Sequence, residues 1–280
     1  MAIRLIALDI DGTLIDNKQQ IPKANRRALV EASENGVEIV LVTGRRHDFA
    51  RPVVTTLDIP LTFITSNGAL VKNQEGVVIR RNFLDRRTAR RVLELTSHFR
   101  STTAVIFERP NRGQVIYERI DWSDPLRRLF FKSQRQFLDE ISPLENSLTK
   151  DPLQVMFTGK LNQMKEVVTT LQRSMMVGDY SLNVTEYEAK DFSIVDVGAP
   201  GCTKGTVLAD LVQDLGIGRE EVLAIGDNLN DTGMLEYAGV GVVMGNAAIE
   251  LKQLGYPVTL SNCEAGVAAA IDEYVFGRQP

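Results

Sequence analysis

Short apolar runs in the first third of the chain alternate with amphipathic stretches of helical length. The runs at residues 5–10, 37–42 and 61–65 predict buried strands. Residues 22–35 between them predict a helix that a proline opens and a glycine closes. Because strands that alternate with helices pair in parallel, this part of the chain predicts a doubly wound α/β sheet.

The pattern changes in the middle of the chain and then returns. Residues 83–194 combine helical stretches with runs that alternate apolar and polar residues, which is typical of antiparallel strands with one face in water. After Pro200 the alternation of helices and buried strands resumes, with a last strand expected at residues 257–260. We therefore predict an α/β core, residues 1–82 and 195–280, that carries an inserted α+β domain.

The composition argues against several classes of function. The 280 residues are 44% hydrophobic and 24% charged, and the net charge of −4 gives no basic surface for nucleic acid. No signal peptide or membrane-spanning run is present, and Cys202 and Cys263 lack metal-binding spacing. We expect a soluble, cytoplasmic protein that binds neither nucleic acid nor membrane, and its oligomeric state stays open.

The first predicted strand ends in two carboxylates, Asp9 and Asp11, with a glycine directly after them. The carboxyl ends of strands in an open parallel sheet border ligand sites, so these acids are expected at the mouth of a site. Carboxylate oxygens suit a hard cation such as Mg²⁺, which often also binds a substrate phosphate. An ordinary turn explains the same residues equally well. The pair alone therefore does not distinguish a cation site from a turn.

Further polar clusters follow three other predicted strands, and a lysine begins the helix after the insertion. They are Thr43-Gly44, Asn67-Gly68, Gly226-Asp227 with Asn230 and Asp231, and Lys204. Each has a plain explanation, since turns, helix N-termini and surface positions favour these residue types. Because the strand ends meet at one crevice, the joint pattern predicts a phosphate site.

These segments resemble the motifs of the haloacid dehalogenase superfamily, and in particular the Cof-type phosphatases with a type IIB cap. The matching segments are Asp9-Ile10-Asp11-Gly12-Thr13-Leu14, Val42-Thr43-Gly44-Arg45, Ser66-Asn67-Gly68-Ala69, Gly201-Cys202-Thr203-Lys204-Gly205, Gly226-Asp227-Asn228-Leu229-Asn230-Asp231 and Met244-Gly245-Asn246-Ala247. The resemblance covers essentially the whole chain. It implies a Rossmann-like core and a cap, residues 83–194, that closes over the site and excludes water.

The resemblance implies a role for each acid. Asp9 is expected to be the nucleophile that forms an aspartyl-phosphate, and Asp11 the general acid and later the general base. Mg²⁺ is expected on the Asp9 carboxylate, the Asp11 backbone carbonyl and the Asp227 carboxylate. Asp231 is expected to orient this metal site from outside.

The resemblance also implies which groups hold the phosphate. These are the backbone N–H of Ile10, together with Thr43, Gly44, Lys204 and Asn230. Asn67 is a further candidate for substrate binding near the cap junction, although a turn before a glycine explains it equally well.

The leading hypothesis is a Mg²⁺-dependent phosphatase, a phosphoric monoester hydrolase, acting on small phosphorylated metabolites such as sugar phosphates. One alternative is a phosphohexomutase with the same cap type and the same aspartyl-phosphate chemistry. Another is a catalytically inactive regulatory or binding homologue. The presence of Asp9, Asp11, Lys204 and Asp227 argues against the inactive homologue.

Overall fold

The computed structural model describes residues 2–110, 112–120, 122–132 and 134–278. The chain divides into two compact units, the first up to Arg81 and from Thr203 onwards, the second Asn82–Cys202. The sequence predicts the insertion at residues 83–194. The second unit continues past residue 194 because the strand Phe192–Gly198 pairs on both sides with strands of that unit.

Strands and helices alternate along much of the described chain. The strands are β1 (Leu5–Leu8), β2 (Glu38–Val42), β3 (Thr62–Thr65), β4 (Leu70–Asn73), β5 (Val78–Arg81), β6 (Thr103–Ile106), β7 (Val115–Tyr117), β8 (Leu138–Glu140), β9 (Gln154–Gly159), β10 (Ser181–Tyr187), β11 (Phe192–Gly198), β12 (Val222–Gly226) and β13 (Val240–Val243). The helices are α1 (Lys23–Glu34), α2 (His47–Ala50), α3 (Arg86–Leu95), α4 (Pro125–Lys132), α5 (Leu161–Gln172), α6 (Lys204–Asp214), α7 (Thr232–Tyr237), α8 (Ile249–Lys252) and α9 (Gly266–Tyr274).

The first unit is built on a sheet with the strand order β13-β12-β1-β2-β3-β4-β5. The strands from β13 to β3 are parallel, and β4 and β5 continue the sheet in antiparallel pairing. Strand β1 is buried along its length and lies between β12 and β2, with Leu8 opposite both Ile225 and Leu41. This order confirms the predicted doubly wound core, and it brings the carboxyl ends of β1, β2, β3 and β12 to one edge.

The second unit is an α+β domain, as predicted. Its sheet has the order β10-β11-β9-β6-β7-β8, and its pairs are antiparallel except for β7 with β8. Helices α3 and α5 contribute Val92, Leu93, Met164 and Val167 to a buried cluster that includes Phe157 of β9. The amphipathic helices therefore cover the sheet with their apolar faces, which is how such a domain buries its core.

Two predictions about the last part of the chain need correction. The strand expected at residues 257–260 is only an isolated bridge between Val258 and Val243, because two backbone hydrogen bonds alone join this segment to β13. The last helix, expected from residue 264, begins at Gly266, because Ala265 adopts a left-handed φ of 61°. Among the described residues, no helix is long and apolar enough to cross a membrane.

The two cysteines differ in their surroundings, which predicts different reactivity. Cys202 is 3% exposed, and burial raises the pKa of its thiol to about 12, whereas Cys263 is exposed. Since the thiolate is the reactive form, we expect a thiol-specific reagent to modify Cys263 alone in the native protein and both cysteines after unfolding. The variant Cys263→Ser should not react in the native state, and native labelling of Cys202 would contradict the structure.

Candidate active site

Four buried or half-buried charged residues lie together at the carboxyl ends of β1 and β12. These residues, which we call the charged cluster, are Asp9, Lys204, Asp227 and Asp231. Lys204 Nζ donates hydrogen bonds to Asp9 Oδ1 at 2.7 Å and to Asp231 Oδ1 at 2.6 Å. The Lys204 side chain is 1% exposed, so these carboxylates replace the water that an ammonium group otherwise needs. Removing one partner from such a buried pair typically costs about 3–5 kcal/mol.

Parallel pairing places two of the acids side by side. The Asp9 N–H donates to the Ile225 carbonyl at 3.1 Å, so Asp9 and Asp227 follow the ends of neighbouring strands. After β12 the chain turns at Asp227 and Asn228, and a 3₁₀ helix, Leu229–Asp231, follows directly. Asp231 is the last residue of this helix. Its Oδ2 accepts the N–H groups of Asp227 and Asn228 at 3.0 Å each, which fixes the turn that carries Asp227.

A contact between two glycines brings Lys204 to the cluster. Helix α6 begins at Lys204, with the Thr203 side chain as its N-cap. A Cβ atom at Gly205 would lie 2.3 Å from the backbone carbon of Gly233 in α7. Because no side chain separates α6 from α7 at this point, Lys204 reaches Asp231 at the start of α7.

The charged cluster contains more negative than positive charge, and the pKa values reflect this. Burial raises the pKa of Asp9 to about 7, and the nearby carboxylates of Asp231 and Asp11 add to the rise. Burial and the neighbouring Asp9 raise the pKa of Asp227 well above its usual value. Burial lowers the pKa of Lys204, but Asp231 and Asp9 raise it more, so that it lies above its usual value.

The donor atoms of the cluster fit a hard divalent cation. Asp9, Asp227 and Asp231 each offer a carboxylate oxygen, and these atoms lie within 4.8 Å of one another. Asp231 already accepts hydrogen bonds at both oxygens, whereas Thr13 donates to only one oxygen of Asp227, at 3.1 Å. Lys204 likewise binds one oxygen of Asp9. Asp9 and Asp227 therefore have the better placed oxygens for a cation, with Asp231 behind them.

A second group of predicted residues follows the ends of β2, β3 and β12. We call Thr43, Gly44, Asn67 and Asn230 the amide cluster. The Asn67 N–H donates to the Thr43 carbonyl at 3.1 Å. Asn230 Nδ2 donates to Asn67 Oδ1 at 3.3 Å, and a Cβ atom at Gly44 would lie 3.3 Å from the same oxygen. Asn230 is adjacent to Asp231 in the chain, so this cluster borders the charged cluster.

Asn67 lies in a strained turn, as one of its two explanations expects, and its side chain also accepts a hydrogen bond from Asn230. Ser66, Asn67 and Gly68 have consecutive left-handed φ values of 50°, 54° and 108°, and all three are buried. For a residue other than glycine this conformation costs on the order of 1–3 kcal/mol. The turn directs the Asn67 side chain toward Asn230 and Gly44.

Two predicted site residues lie outside these clusters. Ile10 is fully buried between Asp9 and Asp11 in the chain. The Asp11 side chain is 32% exposed. Its carboxylate accepts hydrogen bonds from Arg45 Nε at 2.6 Å and from a terminal nitrogen of Arg45 at 2.5 Å. Arg45 is part of the motif that supports the family resemblance, but no role was predicted for it from the sequence.

Asparagines near the end of the chain support the loop after β1, a role that was not predicted from the sequence. Asn246 Nδ2 donates to the Gly12 carbonyl at 2.8 Å, and Asn246 Oδ1 accepts the Asn262 N–H at 2.8 Å. Asn262 Nδ2 in turn donates to the Ile15 carbonyl at 2.8 Å. The available signal is the position of Asn246 in the motif at residues 244–247.

A family model for haloacid dehalogenase-like hydrolases matches residues 6–271. The chain belongs to this family. Phosphatase YwpJ of Bacillus subtilis is 30% identical, over 95% of this chain and 98% of its own length. Pyridoxal phosphate phosphatase YbhA of Escherichia coli is also 30% identical, over 97% and 98%. A solved haloacid dehalogenase-like hydrolase from B. subtilis superposes with a TM-score of 0.80 at 26% identity, covering 96% of this chain and 99% of its own.

The resemblance to Cof-type phosphatases is thus confirmed, and the protein is a phosphoric monoester hydrolase. The charged cluster and the amide cluster lie at the edge of the sheet where the sequence places the site of this hydrolase.

A substitution at Gly12 tests whether the loop after β1 of this hydrolase must lie close to Asp227. Gly12 has a φ of 79°, and a Cβ atom there would lie 2.2 Å from Asp227 Oδ2. Gly36 has a nearly equal φ of 81° with no atom within 4 Å of such a Cβ. We expect Gly12→Ala to lower turnover of p-nitrophenyl phosphate by at least about tenfold, because Asp227 is displaced.

Gly36→Ala is the matched control, since an L-residue in this conformation costs about 1–2 kcal/mol in either variant. It should lose a similar amount of stability, measured by thermal unfolding, and retain its turnover. Equal turnover in the two variants would show that the approach of Gly12 to Asp227 does not matter.

Proposed function

We propose that this hydrolase is a Mg²⁺-dependent phosphatase that cleaves small phosphorylated metabolites through an aspartyl-phosphate on Asp9. The observation that supports it best is the buried Lys204 between Asp9 and Asp231, beside Asp227. The Asp9 carboxylate, the Lys204 ammonium group and two further acids lie in one small volume, as expected if Asp9 is the nucleophile and Lys204 binds the phosphoryl group.

In this proposal the reaction has two displacements at phosphorus. An Asp9 oxygen forms a bond to phosphorus while the bond from phosphorus to the leaving oxygen breaks, and Asp11 gives that oxygen a proton. Water then attacks phosphorus, Asp11 takes a proton from it, and the bond between phosphorus and Asp9 breaks. Inorganic phosphate leaves and Asp9 is regenerated, so that one hard displacement is divided into two easier ones.

Mg²⁺ would be held by the carboxylates of Asp9 and Asp227 and by the Asp11 backbone carbonyl, with Asp231 orienting Asp227 through the turn. When bound, the ion neutralises the excess negative charge of the cluster and polarises phosphoryl oxygens. Burial is the main cause of the raised pKa values of Asp9 and Asp227, and a bound divalent cation would lower both values again.

The phosphoryl oxygens would be bound by groups of both clusters. These are the Ile10 N–H, Thr43, Gly44, Lys204 and Asn230, and Asn67 would orient Asn230 through their hydrogen bond. The relative YbhA is named a pyridoxal phosphate phosphatase, which supports a small phosphorylated metabolite as the substrate class, with sugar phosphates as further candidates. In this proposal the first unit carries out the chemistry, and the second unit, as the cap, selects the substrate.

The nucleophile is tested by Asp9→Asn. An amide cannot form the aspartyl-phosphate, so we expect turnover of p-nitrophenyl phosphate to fall by a factor on the order of 10³ or more. Circular dichroism should show an unchanged fold. Asp58→Asn, at an exposed acid outside the charged cluster, should keep the wild-type rate. Substantial turnover by Asp9→Asn would refute Asp9 as the nucleophile.

The metal site is tested by removing and restoring Mg²⁺. We expect EDTA to stop turnover, added Mg²⁺ to restore it, and Asp227→Asn to raise the Mg²⁺ concentration required for half-maximal turnover by at least about tenfold. Thermal unfolding provides a reading without activity, since an ion that binds only the folded protein raises its melting temperature. Turnover that is indifferent to EDTA, or a melting temperature indifferent to Mg²⁺, would contradict the proposed metal site.

A further inference from the structure

The Asp11 carboxylate is held by a bidentate pair with Arg45. Arg45 Nε donates to Asp11 Oδ2 at 2.6 Å, and a terminal nitrogen of the same guanidinium donates to Asp11 Oδ1 at 2.5 Å. Two parallel N–H bonds from a planar fork determine both the position and the plane of the carboxylate. The pair is half-buried, with side-chain exposures of 23% for Arg45 and 32% for Asp11, so solvent weakens it only in part.

The guanidinium of Arg45 is itself held from two other directions. The nitrogen that binds Asp11 Oδ1 also donates to Gln19 Oε1 at 2.7 Å, and the remaining terminal nitrogen donates to the Phe49 carbonyl at 3.4 Å. The Arg45 backbone is fixed as well, since its N–H donates to Thr43 Oγ1 at 3.1 Å. Arg45 therefore connects the loop after β1 to the loop after β2 that carries Thr43.

Gln19 lies in a hydrogen-bonded turn that places its side chain next to Arg45. Gln19 has a left-handed φ of 60°, and its N–H donates to the Asp16 carbonyl at 3.0 Å. Asp16 Oδ1 accepts the N–H groups of Lys18 and Gln20 at 2.8 and 2.9 Å. This turn keeps an unfavourable backbone conformation at the residue that holds Arg45, and strain of this kind is often found at functional sites.

We infer that Arg45 is a positioning residue that aims the Asp11 carboxylate at the leaving oxygen, with Gln19 fixing Arg45. The inference rests on the proposed function, in which Asp11 transfers the proton. A carboxylate has about four lone-pair sites, and the fork uses two of them, so a site on the side away from Arg45 can carry the proton for the leaving oxygen and later accept one from water. A lysine cannot replace the fork, because a single ammonium group does not fix the carboxylate plane.

The inference predicts an effect that depends on the leaving group. A nitrophenolate leaves as a stable anion and needs little help from an acid, whereas a methoxyphenolate is more basic and benefits more from a proton. If Arg45 acts through Asp11, its loss must therefore lower kcat/KM by a larger factor for the ester with the poorer leaving group. A residue that only binds the phosphoryl group would change both esters by the same factor.

The experiment measures kcat/KM for a series of substituted phenyl phosphates, from p-nitrophenyl to p-methoxyphenyl phosphate, with the full chain and Mg²⁺. For Arg45→Met we expect the factor lost with the methoxyphenyl ester to exceed the factor lost with the nitrophenyl ester by about tenfold. Arg45→Lys should show the same trend, since it keeps the charge without the fork. Gln19→Ala should show a smaller trend in the same direction.

Two further variants separate positioning from other effects. Arg46→Met removes the neighbouring guanidinium, which lies 4.6 Å over the Phe49 ring, and should leave the dependence on the leaving group unchanged. In the Asp11→Asn background, Arg45→Met should add no further dependence on the leaving group, because the group that Arg45 aims is already gone.

The outcomes distinguish this inference from the proposed function. An equal loss for every ester, or faster turnover in Arg45→Met, would overturn the positioning role of Arg45 while the wild-type activity still supports a phosphatase. A wild-type protein that releases no inorganic phosphate from any ester would overturn the proposed function itself and this inference with it. Additional leaving-group dependence from Arg45→Met in the Asp11→Asn background would also overturn it.

Discussion

The ammonium group of Lys204 between Asp9 and Asp231 is the interaction on which the rest of the site depends. A charge as deeply buried as Lys204 is tolerated only with charged partners at hydrogen-bonding distance, and both partners are present. The charged cluster nevertheless contains three acidic side chains and only one basic side chain. This imbalance is unfavourable in the protein alone and favours a cation, which is the property that phosphoryl transfer needs.

Backbone geometry provides the close approaches that the cluster requires. Parallel pairing of β1 with β12 sets Asp9 beside Asp227, and the contact of Gly205 with Gly233 lets α6 bring Lys204 to Asp231. Gly12 leaves room for the Asp227 carboxylate. Small residues at these points therefore act as spacing elements, because any side chain there would move a charged group away from its partner.

The two acids of the first motif occupy different environments although one residue separates them. Asp9 is buried and bound to a lysine, whereas Asp11 is partly exposed and bound to the fork of Arg45. Burial would suit the proposed role of Asp9, which must exclude water while it bonds to phosphorus, and partial exposure would suit the proton transfer proposed for Asp11. The environment supplied by the fold, and not the residue type, makes the difference between two identical side chains.

The strands that carry the site are predictable from local sequence, because β1, β2 and β12 are largely apolar runs bounded by polar turns. The run at residues 257–260 looks similar, yet it forms only a bridge, since strand formation depends on the neighbour available for pairing. The motif residues likewise identify Asp9, Lys204 and Asp227 as candidates. Arg45 and Asn246 receive no role from the motifs, because their partners are backbone and side-chain groups elsewhere in the chain.

The sequence by itself therefore determined the fold class, the family and the residue types gathered at the strand ends, since these depend on local periodicity and motif spacing. Only the tertiary structure decided that Lys204 bonds to Asp9 across 195 positions, that Arg45 holds Asp11, and that Asn67 reaches Asn230. Contacts of this kind depend on the relative placement of helices and strands to within about one ångström. Such packing is a property of the assembled core and leaves no signal in a single stretch of sequence.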